Sequence, residues 1–304
     1  MIGAAIAEVE VVASCVIFFR GSLEAHWQHI LPVWREFSRV AGSSLPLRCA
    51  QGAEARWREL PQSEAQLATC FDSVDTVAGC RRLEFVAGSA DRASAHLALV
   101  DLRPVLGQER ASHVRMRFPK ETPAGDIVRL VEHCAQRMPL LWGSAGLAFE
   151  HVSGPRFTAH GRIAAMAKRY WGVQIQDLST LQWDALHGMP GVNWLTLIGR
   201  EFAASKAMDL DDLAAAAAPW VRHGVFFRQA ACGLVLAAGP KPLLGDINQH
   251  DNLDSYARAA ELLQPLMLAS HMPLAGALAR PEVLAAWLHR FEAPREWLAC
   301  NIAD

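Results

Sequence analysis

No stretch of this 304-residue chain reaches the roughly 18 uninterrupted apolar residues of a membrane-spanning helix, so a protein away from the bilayer is expected. Charge of one sign is also lacking: 29 basic against 31 acidic residues leave −2 at neutral pH, with a pI near 6.6. Without a global basic field, direct binding of nucleic acid is not expected. There is no CxxC pair, and the seven cysteines are odd in number. Cys15, Cys49, Cys70, Cys80, Cys134, Cys232 and Cys300 therefore read as free thiols in a reducing compartment, with Cys15, Cys134 and Cys232 as small core residues. The first residues, MIGAAIAEVEVVASCVIFF, lack a basic start and carry Glu8 and Glu10, so they read as a strand rather than a signal peptide, and the cytoplasm is the expected location. Tyrosine is scarce, two against ten tryptophans, and Trp27, Trp34, Trp194, Trp220 and Trp287 fall on apolar faces that favour packing. What is abundant is core: 52% hydrophobic against 20% charged residues is a globular balance, not a disordered one.

Apolar periodicity places the elements. Residues 9–19 read as a buried strand. A helix follows to about Ala41, with Leu23, Trp27, Leu31 and Trp34 on one face and a kink at Pro32. Residues 43–80 are mixed, with short helices around 52–58 and 62–69, and strands follow near 83–87 and 94–102. In VRMRF, Val114, Met116 and Phe118 alternate with Arg115 and Arg117, the cleanest two-residue period in the chain. Thr122 caps and Pro123 opens a helix with Ile127, Leu130, Cys134 and Met138 inward, and Gly146 to Val152 returns as a strand. The second half repeats the succession: a strand from Asn193 to Ile198, a helix from Asp209 or Asp211 to before Gly224, then strands at Val225–Phe227 and Gly233–Ala238. Late helices span Tyr256–Leu263 and Pro281–Phe291, the second with Leu284, Trp287, Leu288 and Phe291 inward. The fold class is α+β: a mixed, largely antiparallel sheet with flanking helices. It reads as one domain over 1–304, with sub-units 1–155 and 156–304 and two diverged strand–helix–strand units, 112–152 and 192–238, as its internal division.

Candidate chemistry is sparse. His26 and His29 stand three apart on a helix but have no Glu or Cys partner at ligand spacing. GPKPLLG, 239–245, puts Lys241 among glycines, yet two prolines remove amide donors and no GK[ST] follows. Ser144 lacks the GxSxG spacing of a nucleophile and reads as a strand-entry residue. The loop with Gly245, Asp246, Asn248, His250 and Asp251 lacks the ligand alternation of a calcium loop. There, Asp246 and Asn248 are expected to bond their own backbone. Asp209, Asp211 and Asp212 suit a helix N-terminus. With Asp246, Asp251 and Asp254 they would form one acidic patch if both loops left the same end of the sheet. No catalytic residue, metal or cofactor is expected.

Two runs remain, LQWDALHGMPGVNWLTLIG (181–199) and GLVLAAGPKPLLGDINQHDNLDSY (233–256). Each couples an apolar strand to a turn of glycine and proline, with Asn193 and Trp194 at one strand entry and Gly239, Pro240 and Gly245 after the other strand. A Trp-containing helix, GVNWLT, an Ala-rich helix, AGPxPxLGDIN and an Asp-x-Tyr helix in that order resemble the immunity-protein family that accompanies type VI secretion toxins. CVIFFRG, VRMRFPKETP and WGSAGLAFE extend the resemblance to the first half. It implies a cytoplasmic, non-enzymatic protein that binds and neutralises a cognate secreted toxin, often a restriction-endonuclease-like nuclease. Asp209, Asp211, Asp212, Asp246, Asn248, His250, Asp251 and Asp254 are the surface expected to meet that toxin. The rival readings are an effector chaperone or adaptor and a metal-dependent hydrolase using the 245–251 loop.

Overall fold

A computed structural model describes residues 8–42, 47–51, 58–59, 80–89, 92–270 and 276–302. The first elements are β1 (Glu8–Phe19), α1 (Trp27–Ala41), β2 (Leu47–Gln51), β3 (Arg58–Glu59), β4 (Cys80–Ser89), β5 (Arg92–Leu102) and β6 (Ser112–Phe118). Next come α2 (Ala124–Arg137), β7 (Leu140–Ser153), α3 (Arg156–Ala167), α4 (Leu178–Asp184), β8 (Leu195–Gly199), α5 (Arg200–Ser205) and α6 (Leu210–Ala217). The chain closes with β9 (Val225–Ala230), β10 (Gly233–Ala238), α7 (Asp254–Leu263), α8 (Pro281–Glu292) and α9 (Pro294–Ile302). The helices expected at 52–58 and 62–69 lie outside the described residues, apart from Arg58, which opens β3.

The strands form one ten-stranded sheet in the order β3-β2-β4-β5-β6-β1-β7-β8-β10-β9. Every ladder in it is antiparallel. β1 is apolar on both faces because it lies at the centre, between β6 and β7. The β7–β8 ladder, Trp142↔Ile198 to Ala145↔Leu195, carries the sheet from the first half of the chain into the second. The two strand–helix–strand units differ in connection: β6 and β7 flank β1, whereas β8 bonds directly to β10.

One sheet face is closed by α1 and α2. Phe37 of α1 lies 5.4 Å from the Phe118 ring and Trp34 lies 6.5 Å from Phe85. On α2, Ile127, Leu130 and Cys134 are buried, as is Met138 just beyond it. The α1 stripe differs from expectation: Ile30, Val33, Trp34 and Phe37 are buried, while Trp27 and Leu31 are half-buried. The helix begins only at Trp27, after a turn that buries Leu23, which shifts the inward face. Thr122 makes no cap; Pro123 itself stands at the cap position of α2 with no side-chain bond.

The other face carries the polar residues that alternate with those apolar ones. Arg115 and Arg117 both close on Glu150 of β7, Arg117 at 2.6 Å. This face is covered by the chain between α3 and β8 and by α8. There Ser14 donates to Gln176 Oε1 at 3.0 Å, Ser144 to Gln174 Oε1 at 3.2 Å, and Trp142 Nε1 to the Ala185 carbonyl at 3.0 Å. Ser144 is therefore mid-strand and buried, not at a strand entry. β7 starts at Leu140, and the glycine at 143 is there for close approach, since a Cβ would lie 2.7 Å from the Val16 carbonyl oxygen. Among the described residues no helix is long and apolar enough to cross a membrane.

Candidate partner-binding site

The site is built from the end of β10 onward. Gly239 takes φ +101, a conformation that side chains resist, and turns the chain into exposed Pro240. Trp194 holds this turn from beneath: its Nε1 donates to the Gly239 carbonyl at 2.9 Å and its own carbonyl accepts from the Ala238 amide at 2.7 Å. Asn193 orients Trp194 by accepting its amide on Oδ1 at 2.7 Å. Both side chains are 1% exposed.

Beyond the turn, the chain runs antiparallel to the segment after α3. The Gly172 amide donates to Leu244 O at 2.9 Å, Trp171 N to Gly245 O at 3.0 Å, and Ile247 N to Arg169 O at 3.1 Å. Gly245 has φ +64, and a Cβ there would lie 2.5 Å from the Gly172 nitrogen, so only glycine fits this crossing. The crossing brings Asp246 onto Arg169 as a two-bond fork, Nε to Oδ1 at 2.8 Å and Nη2 to Oδ2 at 2.7 Å. The Arg169 guanidinium lowers the Asp246 pKa from the usual carboxylate value. Asp246 also accepts from the Asn248 amide at 3.0 Å, and Asp251 accepts from the Asp246 amide at 2.9 Å. The result is a tied base beneath an exposed tip, 248–252, at which His250 adopts φ +54. Asn252 then turns the chain into α7 by accepting the Asp254 amide at 2.7 Å, and Asp254 pairs with Arg258 at 2.6 Å.

The expected acidic residues are thus divided. Asp246 is 2% exposed and belongs to the base of the loop, not to a surface. Asp209 caps α6 by accepting the Asp211 amide at 2.6 Å, and Gln229 donates to Asp211 at 2.6 Å. Gln229 pairs with Leu234, next to the β9–β10 turn, whereas the 239–251 loop leaves from the opposite end, where Gly239 bonds Gly224 O at 2.8 Å. Roughly 13 Å of strand separates the two ends. Asp209, Asp211 and Asp212 therefore form one patch and Asn248, His250 and Asp251 another, and no single acidic surface joins them.

The His26 ring nitrogen donates to the Arg20 carbonyl at 2.7 Å, which occupies it as a helix-entry bond rather than a ligand. No group of three or more His, Cys, Asp or Glu among the described residues is placed to hold a metal. Cys15 and Cys134 are buried free thiols, but Cys232 is half-exposed in the β9–β10 turn and not in the core. Arg169 and the buried Arg290 were not anticipated, because neither has a spacing signal: Arg169 meets its carboxylate 77 residues away.

Comparison with known proteins follows the same architecture. The Pseudomonas aeruginosa T6SS protein PA0821 superposes with a TM-score of 0.69 at 19% identity, covering 96% of this chain and 85% of that one, a likeness of fold. No curated protein matches the chain. Residues 47–291 match the family model TsiV, described as type VI immunity for VRR-NUC, and the chain belongs to that family.

Proposed function

We propose that this protein binds and neutralises a type VI secreted VRR-NUC nuclease toxin in the cytoplasm of the producing cell, as a stoichiometric inhibitor without turnover. The observation that carries the reading is the family match across 47–291. The geometry supports it: a polar tip, 248–252, stands exposed on a base fixed by the Arg169–Asp246 fork, and rigidly held loops are where partner contacts are made. A nuclease must present positive groups to phosphates. Acidic loops complement such a cleft and speed encounter. The proposed contact residues are Asn248, His250, Asp251 and Asp254, with Asp209, Asp211 and Asp212 as a separate second patch.

The test is reconstitution with a purified VRR-NUC toxin. A one-to-one complex on size exclusion and loss of DNA cleavage at equimolar protein are the expected outcomes. Raised toxin levels in cells that remain poisoned would establish a chaperone instead. Turnover of generic ester or phosphate substrates, abolished by Asp251→Asn, would establish the hydrolase.

A further inference from the structure

Arg290 lies on α8 with only 7% of its surface exposed. Its guanidinium stacks 3.3 Å from the Trp287 ring centre and 4.4 Å from that of Phe291, and Nη1 donates to the Trp171 carbonyl. Nε is buried with no hydrogen-bond partner, and among the described residues no carboxylate pairs with this arginine. Acidic groups do occur nearby. Glu282 is engaged with Arg280 at 3.6 Å, and Asp177 accepts from the Thr180 hydroxyl at 2.7 Å. Tyr256, the titratable side chain coupled to Arg290, is held neutral by burial. A buried, uncompensated cation is strongly unfavourable unless an anion reaches it.

The space for one is present. Arg290 walls a cleft of about 450 Å³ between α3, α8 and α9, lined by Ala164, Trp171, Val283, Trp287 and Trp297. On its other side is only a narrow crevice of about 30 Å³ against Phe18 and Trp142 of the sheet, so the room for a ligand lies in the cleft. Small-molecule sites have this size and this combination of aromatic wall and one placed charge. We infer that the cleft takes a small organic carboxylate, its apolar body against Trp171, Trp287 and Trp297 and its carboxylate on Arg290. The depth of the guanidinium excludes a flat protein surface, and the aromatic lining selects against a bare inorganic ion.

Phenylacetate and its neutral isostere phenylacetamide test this in the absence of toxin, so the outcome is independent of the immunity reading. Tryptophan fluorescence and thermal shift should show phenylacetate binding the parent at least about tenfold more tightly than the amide, the size of one charge-assisted bond. Arg290→Met should erase that preference and melt close to the parent, because removal of an uncompensated charge offsets the lost bond to the Trp171 carbonyl. Ala164→Phe, which fills the cleft while keeping the arginine, should abolish binding and serves if Arg290→Met does not fold. Equal binding of acid and amide, no binding of either up to about 10 mM, or a preference that survives both substitutions would overturn the assignment.

Discussion

Trp194 offers a sharp perturbation of the architecture behind the site. Its indole is 1% exposed, and its Nε1 bond of 2.9 Å to Gly239 fixes the turn from which the exposed loop is built. Trp194→Phe keeps most of the apolar area and removes the bond, stranding a buried carbonyl, so about 1–2 kcal/mol should be lost. Trp194→Ala adds a cavity and should cost about 3–5 kcal/mol. At roughly 2–4 °C per kcal/mol for a chain of this class, the alanine variant should melt about 6–20 °C lower. Urea unfolding followed by far-ultraviolet circular dichroism measures both variants without relying on a fluorescence signal shared by ten tryptophans. An alanine variant with an unchanged midpoint that no longer bound toxin would make Trp194 an interface anchor and refute the structural assignment.

Three further outcomes follow from particular residues. Asp246→Asn should loosen the fork to Arg169 and speed hydrogen exchange at the Trp171, Gly172 and Ile247 amides, while the β1 amides stay protected; unchanged exchange at those three would remove the fork from its role. Burial and the nearby Arg115 and Arg82 charges hold the His113 pKa down at about 3, against the ordinary imidazole value of 6.5. The unfolded chain then binds a proton first, so stability present above pH 6.5 should decline as pH falls toward 3. His113→Phe should remove that part of the decline, on the order of a few kcal/mol, and an unaltered pH profile would contradict it. Burial also pushes the Cys15 thiol up to about 12, so at pH 8 a thiol reagent should modify half-exposed Cys232 well before Cys15 or Cys134, and intramolecular disulfides found by mass spectrometry in native protein would contradict the free-thiol reading.

Elements that are buried and regular were legible. β6 followed from its alternation, and β10 from an apolar run closed by Gly239 and Pro240, because periodicity and backbone demand are local properties. The failures are non-local. Ser144 reads as a strand entry, but β7 runs through it, with Gly143 letting β1 approach and Gly146 making room for the Asn193 side chain. Of the stripe expected on α8, Leu288 and Phe291 are buried and Leu284 and Trp287 half-buried, while the buried Arg290 was passed over, since a charge on a helix is ordinarily solvated. The acidic patch failed for a topological reason. α6 and the 3₁₀ turn at 218–223 carry the chain from one end of the β8–β10–β9 ladder to the other before β9 begins, so two acidic segments near in sequence pattern leave opposite ends.

The proposal at the centre is that the exposed tip at 248–252, with Asp254 at the start of α7, contacts and disarms the toxin. Association of the parent, of an Asp251→Lys/Asp254→Lys variant and of an Asp211→Lys/Asp212→Lys variant with the purified VRR-NUC toxin can be measured across salt concentrations, with DNA cleavage read in the same samples. The 251/254 reversal should slow association, weaken its salt dependence and restore cleavage, while circular dichroism shows the parent fold. A folded 251/254 variant that binds at the parent's rate at every salt concentration and still blocks cleavage would contradict it.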